Sequence, residues 1–204
     1  MCIGGESVSD DYSVGIPDDH FIRGHIPMTK QEIRVLVLSQ AKIKSGHTVI
    51  DIGAGTGSLS VEAALQSGTG KVYAVEREPE GFELIKRNAA KFGVATIQPI
   101  LGDAPAALAG LPQADTIFVG GSGGHLQEIL AAARQLIKPG GRIIVTAVTI
   151  ETLHNTLADM EAQSAFQTEA FCAQITRINK LASCHMLQAL NPIYIITAIA
   201  PAAE

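Results

Sequence analysis

The stretch His47-Thr48-Val49-Ile50-Asp51-Ile52-Gly53-Ala54-Gly55-Thr56-Gly57-Ser58 decides how the rest of the chain is read. Val49, Ile50 and Ile52 are β-branched and predict a short buried strand. Gly53, Gly55 and Gly57 then allow a sharp turn and a close approach of the backbone to a ligand. From Ser58 an apolar segment, with Leu59, Val61, Ala63, Ala64 and Leu65, predicts a helix packed on the sheet. A strand, a glycine turn and a helix N-terminus together offer unpaired N–H groups to an anion.

Spacing narrows the ligand. A dinucleotide fingerprint requires G-x-G-x-x-G, whereas this turn runs G-x-G-x-G with Asp51 two positions ahead of Gly53. The pattern D-x-G-x-G-x-G resembles motif I of the class I S-adenosylmethionine (SAM) methyltransferases. SAM carries a carboxylate suited to a helix N-terminus and an ammonium that Asp51 can offset. The competing reading is a glycine turn that only joins strand to helix.

Outward from the turn, strands and helices alternate. Thr29-Lys30-Gln31-Glu32 is a capping-box pattern with Thr29 as N-cap, and it predicts a helix over 30–42. Strands are predicted at 71–76, 96–101 and 115–119, with a helix from Pro79 to about Phe92 and another over 125–136. Lys138-Pro139-Gly140-Gly141 predicts a tight turn into a fifth strand at 142–146, then a helix at 150–162. Segments 171–178 and 192–199 read as two strands that pair antiparallel. The fold class is therefore α/β, a doubly wound, Rossmann-like sheet of about seven strands with the last antiparallel, binding ligands at strand C-termini. Residues 1–14 are read as a tail and 15–204 as one domain.

Composition sets the outer bounds. Of 204 residues, 47% are apolar and 17% charged, which is globular, and the net charge of −5 argues against nucleic acid or a membrane surface as partner. Cys2, Cys172 and Cys184 form no metal-like spacing and predict reduced thiols in a cytoplasmic protein. Residues 1–19 lack the pattern of a signal peptide, and no apolar run reaches the ~20 residues of a membrane helix. No metal site is predicted.

Several positions bear on chemistry. Glu76 ends the second strand about 20 residues past the glycines, where an acid can bind ribose hydroxyls. A strand-end acid contributes little packing, so its removal is expected to leave stability unchanged. Asp103 is read either as the N-cap of a helix at 104–109 or as a ligand contact beside Ala104. A Cβ at Gly55 is expected to point at the ligand. Gly120-Gly121-Ser122-Gly123-Gly124 makes either a flexible connection or a ligand floor with free N–H groups. Residues 20–31 and the stretch after Glu169 hold cations without acids, and Arg177 and Lys180 with the glycine loop are expected to form a wall for carboxylates.

These motifs occur together with Gly15-Ile16-Pro17-Asp18, Gly102-Asp103-Ala104-Pro105 and Lys138-Pro139-Gly140-Gly141-Arg142. In this combination the chain resembles the decarboxylating (cobalt-)precorrin-6B carbon-15 methyltransferase family of cobalamin biosynthesis, over about residues 15–199. The resemblance implies methyl transfer from SAM, leaving S-adenosylhomocysteine, to carbon 15 of a tetrapyrrole, with loss of the ring C acetate carboxyl as carbon dioxide. It implies SAM contacts at Thr29, Asp51, Gly53, Ala54, Gly55, Thr56, Gly57, Glu76, Asp103 and Ala104. It also implies a homotetramer and a separate carbon-5 methyltransferase as pathway partner, and it names no catalytic residue. A protein-isoaspartate or tRNA methyltransferase, and a non-enzymatic nucleotide-binding protein, are the alternatives.

Overall fold

The computed structural model describes residues 14–203, so Cys2 and nearly all of the predicted tail lie outside the described residues. Strands β1 (Val49–Ile52), β2 (Val72–Glu76), β3 (Ile97–Leu101), β4 (Ala114–Val119), β5 (Ile137–Ala147), β6 (Gln167–Ala173) and β9 (Ile193–Ile199) form one seven-stranded sheet. Its order is β3-β2-β1-β4-β5-β9-β6. The first five strands run parallel, and β9 is inserted antiparallel between β5 and β6. The expected doubly wound sheet with an antiparallel last strand is therefore what forms.

Alternation along the strands assigns the two faces. Val49, Phe118, Ile144 and Ile195 pack with helices α1 (Gln31–Ala41), α2 (Ser58–Ser67) and α3 (Pro79–Lys91). Ile50, Ile52, Ile117, Ile143 and Ile196 pack with α4 (Leu126–Leu136) and α5 (Ile150–Glu161). Asp51 belongs to the first face by this alternation, and there it meets Ser60 of α2.

Four details differ from the sequence expectations. Thr29 does not cap α1: the N-cap is Lys30 without a side-chain bond, and the Gln31 N–H is accepted by Asp18 Oδ1 at 2.9 Å. The reason is that Arg34 folds back to donate to the Thr29 carbonyl, which fixes that residue outside the helix. Asp103 is no side-chain cap either, because only a short 3-10 turn, Ala106–Leu108, follows it. Its backbone carbonyl accepts the Ala107 N–H at 2.9 Å. Lys138 to Gly141 is not a separate turn but lies within β5, where the register with β4 shifts between Ala114 and Thr116. Gly140 at φ 73° allows that irregularity, and Pro201 and Ala200 bond across it.

The predicted strand at 171–178 is two strands. β6 ends at Ala173, and β7 (Thr176–Leu181) leaves the sheet to pair with β8 (Cys184–Ala189) as a separate hairpin. Almost every side chain of β7 and β8 is exposed, so no buried face marked them in the sequence.

One buried ion network ties the segment preceding α1 to the rest. Arg34, with no exposed surface, donates from Nε to Glu62 Oε1 at 2.6 Å and from Nη1 to Asp18 Oδ1 at 2.8 Å. It also donates to the Ile16 and Thr29 carbonyls and lies over the Phe21 ring. Glu62, equally buried, accepts the Gly15 N–H at 2.7 Å. Removing the cation alone leaves the buried Glu62 carboxyl without its ion-pair partner, so Arg34→Met is expected to destabilise the fold by roughly 3–5 kcal/mol. Urea unfolding of the two proteins checks this, and a loss below 1 kcal/mol contradicts it.

Candidate functional site

The C-terminal ends of β1, β2, β3 and β4 surround a cavity of 260 Å³. It lies where an open α/β sheet binds ligands, at the point where strand order reverses between β1 and β4. Gly53, Gly55, Glu76, Asp103, Ala104 and the loop 120–123 line it. A notch of 20 Å³ beside it is lined by Thr29, Asp51, Ala54 and Thr146, and Gly53 and Gly120 border both spaces. A third cavity of 180 Å³ lies beyond Gly120, between the ends of β4 and β5.

Glu76 is the fixed point of the first cavity. Its Oε2 accepts the Gly55 N–H at 2.8 Å and its Oε1 accepts the Glu78 N–H at 2.9 Å. Gly81 allows this placement, because a Cβ there would lie 2.6 Å from Glu76 Cγ. The carboxylate thus holds the glycine turn as well as facing the cavity, and each oxygen keeps acceptor capacity for a ligand hydroxyl. Its two bonds to the backbone make a loss of stability the expected result of its removal, where an ordinary strand-end acid would cost little.

The glycines differ in what demands them. Gly53 has φ 72°, and a Cβ on it would lie 2.7 Å from the Gly121 nitrogen, so backbone crossing requires it. Gly55 has φ 59°, and its Cβ would meet the Pro27 carbonyl at 2.9 Å. The segment Ile26–Pro27 passes over the glycine turn and lines the first cavity, so Gly55 makes room for a roof. Gly57, also at positive φ, is the N-cap of α2 and lies against Ile85. By contrast, a Cβ at Gly120 or Gly121 would meet its nearest neighbour at 3.4 and 3.9 Å. Packing does not forbid a side chain at these two positions; their bareness keeps the cavities open.

Asp51 is the electrostatic anomaly. It is 2% exposed, and Ser60 Oγ donates to its Oδ2 at 2.5 Å. Burial pushes its carboxyl up to about 6; the Ser60 bond opposes the shift and the charge of Glu76 adds to it. An anion held at this cost suits a site that receives a cationic group.

Other predicted residues are placed less centrally. Thr56 is buried, with its hydroxyl lacking a protein partner and its carbonyl accepting from Asn88. Gly124, at φ 95°, has no close neighbour. Arg177 and Lys180 both stand on β7, and neither is among the residues that line the three cavities. Arg177 donates to Glu32 at 2.8 and 2.7 Å and to Asp18 at 3.2 Å, so its charge is already matched. The bond from Glu32 holds its guanidinium more firmly protonated, and Asp18 lies below the usual carboxylate range because its bonds to Arg34 and Arg177 outweigh its burial.

The sequence reading missed the roof residues Ile26 and Pro27, and Arg77, whose Nη1 would lie 2.6 Å from a Cβ on Gly123. It also missed Thr146, which lines both the notch and the third cavity. Adjacency to Glu76 could have pointed to Arg77; Thr146 ends the predicted fifth strand, in a stretch that shares the family resemblance, but was given no role. Among the described residues no His, Cys, Asp and Glu cluster could hold a metal ion.

Residues 20–199 match the family model described as "Precorrin methyltransferase domain". The chain belongs to the precorrin methyltransferase family. It is 43% identical over 191 residues to a probable cobalt-precorrin-6B C(15)-methyltransferase (decarboxylating) of Saccharolobus solfataricus, covering 92% of this chain and 96% of that protein. A crystal structure of a precorrin-6y C5,15-methyltransferase from Geobacter metallireducens superposes with a TM-score of 0.87 at 35% identity. That match covers 92% of this chain and 99% of the other. The precorrin 8W decarboxylase of Methanobacterium thermoautotrophicum gives 0.84 at 36% identity, covering 89% and 98%.

The elevated Asp51 makes stability depend on pH in a stated direction. Its folded value, about 6, exceeds the ordinary 3.8, so its contribution favours folding most below pH 3.8 and is lost as pH rises through 6. At 1.36 kcal/mol per pH unit the loss is about 3 kcal/mol. Asp51→Asn is expected to gain on the wild-type protein by about that amount between pH 4 and 7 in urea unfolding. Parallel stability curves over that range contradict the assignment.

Proposed function

We propose that this protein methylates carbon 15 of precorrin-6B or cobalt-precorrin-6B and removes the carboxyl of its ring C acetate. SAM is the methyl donor. The observation that carries the reading is the family match over residues 20–199, together with a cavity at the strand ends that meets a second cavity at Gly120.

The residues of the first cavity fit SAM by their chemistry. Glu76 has acceptor capacity for two ribose hydroxyls, and Asp103 with the Ala104 N–H suits the edge of adenine. Asp51, Ala54 and Thr29 border the notch, whose 20 Å³ has room for an ammonium group of the methionine portion. When bound, SAM supplies a methyl group already activated on a sulfonium. The chain's own task is then to align donor and acceptor and to exclude water. The meso carbon of a conjugated tetrapyrrole is electron-rich, so no side chain has to create the nucleophile. Gly123 and Gly124, outside the third cavity, offer N–H groups to peripheral carboxylates, while Arg177 is engaged by Glu32 and Asp18.

The finer surroundings follow the same resemblance. No helix among the described residues is long and apolar enough to cross a membrane, and a cytoplasmic enzyme acting beside a separate carbon-5 methyltransferase is the reading we adopt. We also assign a homotetramer. Its support is the β7–β8 hairpin, where Ile178, Leu181, Met186 and Leu187 are 53–71% exposed on one small element. The double variant Ile178→Glu, Leu187→Glu is expected to be monomeric by light scattering; an unchanged tetramer places the interface elsewhere.

The central test is turnover. Formation of S-adenosylhomocysteine and of a methylated, decarboxylated corrin is expected with metal-free or cobalt-loaded precorrin-6B, and none with isoaspartyl peptides or tRNA. Turnover of peptide or RNA but not of precorrin overturns the reading. Glu76→Gln keeps acceptor oxygen for part of the network, while Glu76→Ala removes it all. The Ala variant is expected to weaken SAM binding by roughly 1.5–3 kcal/mol in calorimetry and also to lower stability. Unchanged affinity removes Glu76 from the site.

A further inference from the structure

The third cavity, 180 Å³ between the ends of β4 and β5, has properties that the donor site does not explain. It meets the donor cavity at Gly120 and the notch at Thr146, so a group inside it faces the place where the methyl is delivered. It is smaller than the donor cavity, 180 against 260 Å³, so it admits one edge of a large molecule and not the whole of it. Val148, 69% exposed, stands at its mouth, with Ile150 just beyond at 79%, a lip for the apolar face of a ring.

Its lining is the unexpected part for a substrate rich in carboxylates. Val119, Val145 and Val148 supply apolar surface, and Ser122, Thr146 and Thr152 supply hydroxyls. No described residue lining it is ionisable. A pocket built to hold a carboxylate would place a cation there. A pocket that expels one as a neutral molecule would not, because an ionised carboxylate in such surroundings is costly and carbon dioxide is not.

We propose that this cavity receives the ring edge being methylated together with the acetate that is lost, and promotes decarboxylation by keeping the carboxylate from water and from any cation. The inference rests on the precorrin reading above. The bonds balance without a further reactant. Methylation at the meso carbon places a positive charge in the conjugated ring. The bond between the acetate methylene and its carboxylate then breaks, its electron pair neutralises the ring, and carbon dioxide leaves. The proton given up by the meso carbon equals the proton taken by the methylene as it becomes a methyl group. Thr146, at the junction of the spaces, is the positioning residue, and the valines exclude water.

A cation introduced at the mouth is the direct test. Val148→Lys and Thr152→Lys are used in parallel, so that a misfolded variant at one position leaves the other to decide, and Val148→Gln controls for size. Each protein is given SAM with metal-free and with cobalt-loaded precorrin-6B, the corrin products are weighed by mass spectrometry, and SAM affinity is measured by calorimetry. The Lys variants are expected to bind SAM as the wild type does. They should release methylated product that still carries its carboxylate, raising its ratio to decarboxylated product roughly tenfold or more. Val148→Gln, which adds size and polarity but no charge, should raise the ratio far less than Val148→Lys does.

Wild-type product ratios from both Lys variants overturn the proposal, as does equal uncoupling by Val148→Gln. Loss of both products with SAM binding intact also overturns it, since the cavity would then govern seating of the whole ring. No methylated corrin from the wild type is a different failure, that of the precorrin reading itself.

Discussion

The buried guanidinium of Arg34 is the interaction on which the rest of the structure depends. It joins Glu62 of α2, Asp18 and the carbonyls of Ile16 and Thr29, drawing the segment before α1 against the helix that follows the glycine turn. That segment is fastened again farther along, where Asn88 bonds both backbone groups of Ile22 and Glu80 accepts the His25 N–H. Between these anchors Ile26 and Pro27 cross the glycine turn. A charged pair with no access to water stabilises weakly in net terms, but its geometry is specific, and here it fixes the height of a roof.

Much of this was legible in the sequence. Val49 to Gly57 announced strand and turn, because β-branched residues followed by spaced glycines satisfy few other structures. The 3,4 spacing of Leu126, Ile129, Leu130 and Ala133 gave α4 correctly, since one face of that helix is buried in the sheet. The alternating strands gave the seven-stranded order class, including the antiparallel β9.

The rest was hidden for identifiable physical reasons. Thr29 satisfied the capping pattern locally, but a carboxylate thirteen residues earlier took the Gln31 N–H, and no local rule sees that contact. The hairpin β7–β8 buries no face within the chain, so periodicity had nothing to register. Arg177 looked like a spare cation because its acids, Glu32 and Asp18, lie 145 and 159 positions away. Gly55 has a neighbour that no motif announced: a Cβ on it would meet the Pro27 carbonyl at 2.9 Å.

Gly120 borders all three spaces, and a Cβ on it would still have ordinary contacts with Gly53 and Ile52. The donor cavity and the third cavity are therefore parted by Gly120, Gly121 and Ser122, a partition whose one side chain is a serine's. For inhibitor chemistry this means that an adenosine linked to a small carboxylated ring can reach both compartments across a short tether. Selectivity over methyltransferases with a bulky residue at that point would come from the tether itself, not from either end group.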